Sequence, residues 1–239
     1  MQDWIDEVEF LLMPAKNPEK EIEQKYQQAY KVWRSSWEKF RKEIGVHEPL
    51  FSDGFIGADE VGAIFYQGNC VALACFTYGN LSENSPLKDY SWFKGWNEFA
   101  LHKLKTISPN IVIASQFTVG PDYTGKNQVT RWKEILSLYV LLRFENSIAD
   151  VMAGHLNLTR KVNESCGEEF GATVLDPLYP FNYYGVELPA QLVAYEREKI
   201  TKMKKTKDID ALCDALWSKL INFSSYPSTR KVIPLKKKA

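Results

Sequence analysis

The sequence predicts an α/β (α+β) protein with a single domain, in which one mixed central sheet has helices on both faces and an extra helix follows at the C-terminus. Three observations predict this class. Along the chain, short apolar runs typical of strands alternate with segments in which apolar residues recur every three or four positions, as in helices. No internal repeat or low-complexity linker interrupts them. The chain has 239 residues, of which 45% are hydrophobic, and this is enough for a sizeable core.

The first part of the chain predicts a strand, a long helix and a hairpin. Val8–Met13 is a short apolar run before a proline, which is typical of a strand. Asn17 and Pro18 predict a helix start, since a capping residue followed by proline suits that position. The apolar residues of this helix recur every three or four positions: Ile22, Tyr26, Ala29, Trp33, Trp37, Phe40 and Ile44. Residues 61–76 contain two apolar runs joined by Gln67-Gly68-Asn69, which predicts a hairpin.

The later segments predict alternating helices and strands. Helices are expected at residues 92–105, 129–140, 157–168 and 208–221, and strands at residues 111–119, 148–153 and 188–195. Gly54 to Asp59 is expected to be a loop, and further strand material is expected after Gly171. We take residues 1–196 as one domain and residues 197–239 as a C-terminal helix with a basic tail.

Charge is unevenly distributed along the chain. The formal net charge is zero, yet residues 197–239 contain 12 Lys or Arg and 4 Asp or Glu, a net charge of +8. We interpret this basic end as a solvated tail. The neutral total argues against nucleic acid as the main partner.

The cysteines and the N-terminus indicate a cytoplasmic protein. None of the four cysteines forms a C-x-x-C pair, and a chain of this length does not need disulfides to fold. Cys70 and Cys75 lie five residues apart on a predicted strand, so we expect them on opposite faces. The acidic start lacks the basic region of a signal peptide, and no apolar run is long enough to span a membrane. The three histidines are scattered, so no metal site is expected.

A strand that runs into a glycine-containing loop before a helix is the most informative feature. The strand ends at Val119, and the loop extends from Gly120 to Gln128. The start of a helix exposes unpaired backbone N–H groups and the positive end of its dipole, so it can bind a pyrophosphate. Gly125 would let the backbone approach the phosphates closely, and Lys126 and Arg131 could add positive charge.

Two segments resemble the GNAT superfamily of acyltransferases. Val119-Gly120-Pro121-Asp122-Tyr123-Thr124-Gly125-Lys126-Asn127 is similar to the loop after the family's fourth strand, Arg/Gln-x-x-Gly-x-Gly/Ala, which grips the pyrophosphate of coenzyme A. Ala149-Asp150-Val151, Asn157, Arg160-Lys161-Val162 and Glu169-Phe170-Gly171-Ala172 resemble the fifth strand, the fourth helix and the start of the sixth strand. The resemblance implies transfer of an acyl group from acyl-CoA or acyl carrier protein, neither tightly bound, to a small-molecule or peptide amine.

The resemblance also implies a set of donor-binding residues. They lie at the end of the fourth strand, in the loop and after the fifth strand: Phe117, Val119, Tyr123, Thr124, Gly125, Lys126, Asn127 and Asn157. Asp122 stands at the Arg/Gln position of the motif and Asn127 at its second glycine. These departures favour an alternative, a non-catalytic GNAT-shaped binding module whose pyrophosphate loop has degenerated.

Other members that deviate in this loop are N-acyl amino acid synthases and acyl-homoserine-lactone synthases. They resemble this chain in their aromatic-rich N-terminal helix, represented here by Tyr30, Trp33, Arg34 and Trp37. Such proteins use long acyl chains, often from acyl carrier protein. Two interpretations of the aromatic face remain open: it lines an acyl tunnel, or it fills the core.

Acyl transfer to an amine needs a base, a donor for the thioester oxygen and an acid for the leaving thiolate. Neither polar residue on the predicted fourth strand, Ser115 or Gln116, is a base alone. His155, near the end of the predicted fifth strand, is the first candidate base, although an exposed or capping histidine would look the same. Glu60, with Asp59 beside it, is the second. Residues 156–168 lack the family's tyrosine acid, and Tyr183 could replace it, with Tyr179 and Tyr184 as neighbours.

Overall fold

A computed structural model of the chain describes residues 3–82, 91–94, 96–125, 128–160, 171–202 and 207–226. In this part of the chain, six α-helices accompany an eight-stranded mixed sheet, which confirms the predicted α/β class. The chain divides into two compact units. The first unit comprises Met1–Phe76, Gln116–Ile148 and Lys204–Ala239, and the second comprises Thr77–Ser115 and Ala149–Met203.

The elements have the following bounds. The strands are β1 (Val8–Pro14), β2 (Glu60–Tyr66), β3 (Asn69–Asn80), β4 (Asn110–Val119), β5 (Val151–Asn157), β6 (Ala172–Tyr183), β7 (Val186–Glu196) and β8 (Leu220–Asn222). The helices are α1 (Glu23–Glu43), α2 (Asp53–Ile56), α3 (Glu98–Ile107), α4 (Trp132–Glu145), α5 (Arg197–Lys202) and α6 (Lys207–Ser218). Short 3₁₀ segments occupy Asp3–Glu7, Lys20–Ile22, Ser91–Phe93 and Pro121–Tyr123.

In the first unit, helices cover both faces of the strands. Strand β2 is antiparallel to β1 and β3, and β8 is parallel to β1. Helix α1 buries Tyr26, Ala29 and Trp33 on one face, as its apolar periodicity predicts. On the other face, Tyr139 of α4 packs against Phe10 with ring centroids 5.1 Å apart. The helices on both faces and the extra C-terminal helix α6 confirm the predicted architecture.

The predicted hairpin is present, but a bulge overturns the expectation for the cysteines. Gln67 and Gly68 form its turn with φ angles of 51° and 77°, a conformation that glycine adopts easily. The register shifts between the pairs Ile64–Ala72 and Phe65–Cys70, so Val71 is an extra residue in β3. The extra residue inverts the alternation of side chains. Cys70 and Cys75 therefore lie in the same core cluster, and not on opposite faces.

Several predicted boundaries differ from the structure because long-range pairing overrides local pattern. Residues 220–222, predicted as the end of the last helix, form β8 because Leu220 and Ile221 pair with Phe10 and Leu11. Strand β5 begins at Val151 and runs to Asn157, later than predicted. Residues 158–160 form a turn and not the start of a helix, and residues 161–168 of that predicted helix lie outside the described residues.

The second unit contains β5, β6, β7 and the part of β4 that ends at Ser115. Strand β5 is parallel to β4 and antiparallel to β7, and β6 and β7 form a hairpin. Helix α3 begins at Glu98, and the preceding Asn97 side chain caps it by accepting a hydrogen bond from the Ala100 N–H at 2.7 Å. The helix buries Ala100 and Leu104 against the sheet. None of the helices in the described ranges has the length and hydropathy needed to cross a membrane.

Trp33 offers a test of the first unit's core, because its side chain is only 1% exposed. Trp33→Ala should lower the free energy of unfolding by about 3–5 kcal/mol, the usual cost of removing a large buried ring. Urea titration measures this change. Phe51→Ala, at a residue that is 61% exposed, is the control and should change it by less than about 0.5 kcal/mol. Similar losses in both variants would contradict the assignment of Trp33 to the core.

Candidate functional site

The parallel strands β4 and β5 of the second unit pair over only three residues. Ile111, Val112 and Ile113 pair with Val151, Met152 and Ala153. Strand β5 pairs with β7 along its whole length, from Val151 to Asn157. Ala114 and Ser115 continue β4 without a partner on β5. Backbone N–H and C=O groups at such an edge are free to bind an extended ligand, since a strand edge forms hydrogen bonds readily.

In the first unit, Gln116 interrupts the regular geometry of β4. Its φ angle is +55°, in the left-handed region that residues other than glycine seldom adopt. Trp33 Nε1 donates to Gln116 Oε1 at 2.8 Å. Because an indole N–H can only donate, this bond fixes which end of the amide is the oxygen. The amide nitrogen then faces α2, where a methyl group on Gly54 would lie 3.1 Å from Gln116 Nε2.

Helix α1 also holds the residues that follow Gln116. Trp37 Nε1 donates to Thr118 Oγ1 at 3.2 Å, and the Ser36 hydroxyl donates to the Val119 carbonyl at 3.4 Å. The Thr118 hydroxyl in turn donates to the Gln116 carbonyl at 2.7 Å. The aromatic face of α1 therefore does more than fill the core, since its polar atoms position the last four residues of β4.

The loop after β4 is anchored at its start and open at Gly125. The Gly120 N–H donates to the Val71 carbonyl at 2.8 Å. A methyl group on Gly120 would lie 3.2 Å from the Tyr123 ring, so the ring would have to shift by a few tenths of an ångström. At Gly125 a methyl group would meet no atom of the described residues within 4 Å. Thr124 is exposed, and its hydroxyl donates to the Pro121 carbonyl at 2.9 Å.

Helix α4 begins farther from this loop than the sequence predicts. Its first residue is Trp132, and no side chain at Arg131 caps it. Arg131 donates to Glu134 at 2.9 Å, with 84% of its own side chain exposed. Two predicted donor-binding residues, Lys126 and Asn127, lie outside the described residues.

The remaining predicted donor-binding residues lie on the two strands and in the loop. Phe117 and Val119 are half-buried at the end of β4, and Tyr123 is half-buried in the loop. Burial raises the pKa of Tyr123, and the nearby Asp122 raises it further. Asn157 ends β5, where its Oδ1 accepts from the Arg160 N–H at 2.9 Å and stabilises the following turn.

His155 of the second unit lies among aromatic rings. Trp96 Nε1 donates to His155 Nε2 at 2.6 Å, and the Trp92 ring stacks on the imidazole at 4.4 Å between centroids and 8° between planes. Tyr179 and Phe181 contact it at 5.6 and 5.2 Å between centroids. Burial lowers the pKa of His155 to about 3. The imidazole is therefore neutral at pH 7, with its proton on Nδ1 because Nε2 accepts from the indole.

Glu60 is held in a buried ion pair of the first unit. Arg143 Nε and Nη2 donate to its two carboxylate oxygens at 2.7 and 3.0 Å, and both side chains are fully buried. Arg143 Nη1 also donates to the Asn146 carbonyl at 3.3 Å. Two parallel hydrogen bonds between a guanidinium and a carboxylate make a strong and geometrically specific ion pair. This geometry favours a structural role for Glu60.

Tyr183 lies at the end of the β6–β7 hairpin, half-buried and paired with Val186. Its ring contacts Phe181 and Tyr184, at 6.0 and 5.0 Å between centroids. The tyrosine that the structure places against His155 is Tyr179. Among the described residues, no group of three or more His, Cys, Asp or Glu side chains could hold a metal ion.

Comparison with known proteins identifies the fold. No family model and no curated protein matches the sequence. The structure is similar to FeeM, an N-acyl amino acid synthase from uncultured soil microbes, with 10% identity over 81% of this chain and 93% of that one, and a TM-score of 0.51. It is also similar to BjaI, a CoA-dependent acyl-homoserine lactone synthase solved with SAM and isopentyl-CoA. There the identity is 10% over 91% of this chain and 94% of that one, and the TM-score is 0.55. These likenesses confirm the predicted GNAT fold.

Glu60 and Glu38 provide a matched pair for testing the structural role of Glu60. Glu60→Gln should lower the free energy of unfolding by about 3–5 kcal/mol, because Arg143 would keep its charge in the interior without a carboxylate. Glu38→Gln, which breaks the exposed pair with Arg34, should change the stability far less, since solvent screens an exposed ion pair. Thermal and urea unfolding measure both. An unchanged stability in Glu60→Gln would contradict the structural role.

The pKa of His155 predicts how stability depends on pH. Between the lowered pKa of about 3 and the usual value of about 6.5, the unfolded chain binds one more proton than the folded one. The contribution of His155 to the free energy of unfolding is therefore complete above about pH 6.5 and is lost as the pH falls, by up to about 1.4 kcal/mol per pH unit. His155→Phe should flatten this slope in urea titrations, whereas His47→Phe, at an exposed residue, should keep it. Equal slopes in wild type and His155→Phe would contradict the assigned pKa.

Proposed function

We propose that the protein is an N-acyltransferase, which moves an acyl group from the thioester of coenzyme A or of acyl carrier protein to an amine on a small molecule or peptide. The observation that carries the proposal is the early end of the β4–β5 ladder. The backbone of Ala114 and Ser115 has no partner on β5, and an extended amide-containing arm can pair with such an edge as an added strand does. The arm of coenzyme A or of acyl carrier protein that carries the thioester is extended and contains amide groups. The GNAT fold supports the same assignment by analogy.

The proposed reaction requires few groups from the protein. The amine nitrogen attacks the thioester carbonyl carbon, the carbon–sulfur bond breaks, and an amide and a free thiol are formed. The amine loses one proton, and the leaving thiolate takes up one proton to become the free thiol. Neither His155 nor Glu60 is placed to act as a base, since His155 Nε2 accepts from Trp96 and Glu60 is bonded to Arg143. We propose that the amine reacts from its own unprotonated fraction.

For the phosphates of the carrier we propose the loop at residues 120–125 of the first unit, with Lys126 and Asn127 after it. Gly120 fixes the loop to β3, while the surroundings of Gly125 are open. Backbone N–H groups in such a loop bind phosphate oxygens. Tyr183 is proposed as the acid that protonates the thiolate, and the proton that the amine loses restores its hydroxyl. Phe117, Val119 and Asn157 are proposed as residues of the donor site.

One observation favours a second function, binding of a thioester carrier without turnover. Asp122 is exposed in the loop, where its negative charge opposes that of a phosphate. Its carbonyl also accepts from Gln128 Nε2 at 2.9 Å, so part of the loop is bonded to itself. A binding module would bind the carrier and release no thiol. An assay of thiol release therefore distinguishes the two functions.

The test of the proposed function is the release of free thiol. The wild-type protein is mixed with acetyl-, isopentyl- or decanoyl-CoA, or with acyl carrier protein, in the presence of a panel of amino acids and other amines. Mass spectrometry identifies the amide, and a thiol reagent follows the rate. We expect thiol and amide in equal amounts for at least one pair. Binding without either product would favour the binding module, and neither binding nor product would contradict the proposal.

Gly125 and Asp122 test where the phosphates bind. Gly125→Val should weaken binding of a CoA thioester by about 10- to 100-fold, because the side chain would obstruct charge-assisted hydrogen bonds from the backbone. Asp122→Gln should strengthen it by about two- to fivefold at low salt, since an exposed charge of the wrong sign is removed. Calorimetry measures both affinities. Because a side chain at Gly125 meets open space, Gly125→Val should keep the wild-type melting temperature. Unchanged affinity in both variants would contradict the loop assignment.

A further inference from the structure

We propose that His155 acts as a neutral hydrogen-bond donor, through its Nδ1–H, to a substrate oxygen that carries or develops negative charge. This role rests on the proposed acyltransferase function and specifies one residue within it. It differs from the general base that the sequence alone predicts. All residues that carry the inference belong to the second unit: Trp92, Trp96, His155, Tyr179 and Phe181.

The hydrogen bond from Trp96 determines the tautomer of His155. An indole N–H is a donor only, so His155 Nε2, at 2.6 Å from Trp96 Nε1, must be the acceptor. A neutral imidazole with an accepting Nε2 carries its proton on Nδ1. Neither nitrogen then has a lone pair left for the proton of an amine. This geometry excludes the base role for as long as the bond to Trp96 is intact.

The surrounding rings hold the imidazole in this orientation. Trp92 covers one face, nearly parallel and 4.4 Å away, and Phe181 contacts it at 5.2 Å. Trp96 is itself fixed, because it is buried, stacks edge-on with Phe93 at 5.3 Å, and donates its backbone N–H to the Phe93 carbonyl. A ring flip of His155 would break the bond to Trp96. The donor direction of Nδ1 is therefore set before any ligand binds, as catalytic stabilisation of charge requires.

The Nδ1–H of His155 is available to a ligand. No described residue accepts a hydrogen bond from it, and the side chain is half-buried and not completely enclosed. Among the described residues, the only buried side-chain nitrogen or oxygen without a partner is Trp132 Nε1, in the first unit. An N–H group that is neither enclosed nor bonded within the protein can donate to a bound molecule.

The position of His155 on β5 connects the donor to the proposed chemistry. His155 is the second residue after Ala153, where the pairing of β5 with β4 ends. On its other side it pairs with Leu192 of β7, so the backbone that carries it is held in the sheet. The oxygen of a thioester gains negative charge as the amine attacks, and a fixed neutral donor stabilises that charge without losing a proton. A carboxylate on the acceptor amine could accept the same hydrogen bond. Kinetics can distinguish the thioester oxygen from the carboxylate oxygen.

Two substitutions distinguish a donor from a base. Glutamine can accept from Trp96 through its carbonyl and can donate through its amide, so His155→Gln retains an acceptor and a neutral donor but cannot serve as a base. His155→Phe keeps the aromatic contacts and removes both bonds. We expect His155→Phe to lower kcat by about 100- to 1,000-fold, the usual effect of losing one donor to an oxyanion. We expect His155→Gln to stay within about tenfold of the wild type.

The activities of the two variants distinguish the possible roles of His155 and identify the substrate oxygen to which it donates. If both variants lose activity equally, His155 is a base; if neither does, it is structural; each result overturns the proposal. A loss in kcat indicates the thioester oxygen, whereas a rise in the acceptor KM with kcat unchanged indicates a carboxylate of the amine. Melting temperatures show whether each variant is folded. His47→Phe, at an exposed residue outside this cluster, is the control and should retain activity.

Nitrogen-15 NMR tests the donor without turnover. At pH 7 the His155 ring should show a protonated Nδ1 and an unprotonated Nε2, and Trp96→Phe should give a mixture of tautomers. Addition of a non-hydrolysable acyl-CoA analogue should shift the Nδ1 signal in the wild type. The opposite tautomer, or an Nδ1 signal that does not move when the analogue binds, would overturn the inference. A wild type that shows this shift but releases no thiol would instead contradict the proposed function alone.

Discussion

The hydrogen bonds from α1 to three residues at the end of β4, Gln116, Thr118 and Val119, are the interaction on which the geometry of the first unit depends. Gln116 adopts a left-handed backbone conformation, which costs about 1–3 kcal/mol and persists only where neighbouring groups impose it. Trp33, Ser36 and Trp37 supply those groups from a single helix face. The same face is buried against the core cluster of this unit, so the helix cannot move away without exposing it. Gly120 and its loop follow directly from this fixed strand end.

In the second unit, an indole N–H also fixes the orientation of a polar side chain. In both units a tryptophan N–H donates to a polar side chain that could otherwise present either of two atoms to a ligand: the amide oxygen of Gln116 and Nε2 of His155. Since an indole donates only, the remaining atom becomes a donor in each case. Burial of His155 among Trp92, Tyr179 and Phe181 lowers its pKa and keeps it uncharged. These tryptophans therefore determine the polarity of the groups beside them as well as filling space.

Local patterns in the sequence were sufficient for much of the fold but not for the chemistry of the site. The spacing of Tyr26, Ala29 and Trp33 predicts the buried face of α1 because helix periodicity is local. The face of the strand on which Cys70 lies depends on the bulge at Val71, and no turn residue at that position indicates a bulge. Strand β8 depends on pairing with β1, more than 200 residues earlier in the sequence. His155 looked like a base because Trp96 lies 59 residues away, and nothing near the histidine indicates that its Nε2 is occupied.

The central claim is that the free edge of β4, beyond the three residues that pair with β5, receives the arm of an acyl thioester carrier. Hydrogen–deuterium exchange tests it most directly, since amides that form hydrogen bonds to a ligand exchange more slowly. With a saturating acyl-CoA, we predict protection of the peptides that cover Ala114 to Val119, with little change in those that cover α6. Binding that leaves residues 114–119 exchanging at the rate of the free protein would contradict the claim.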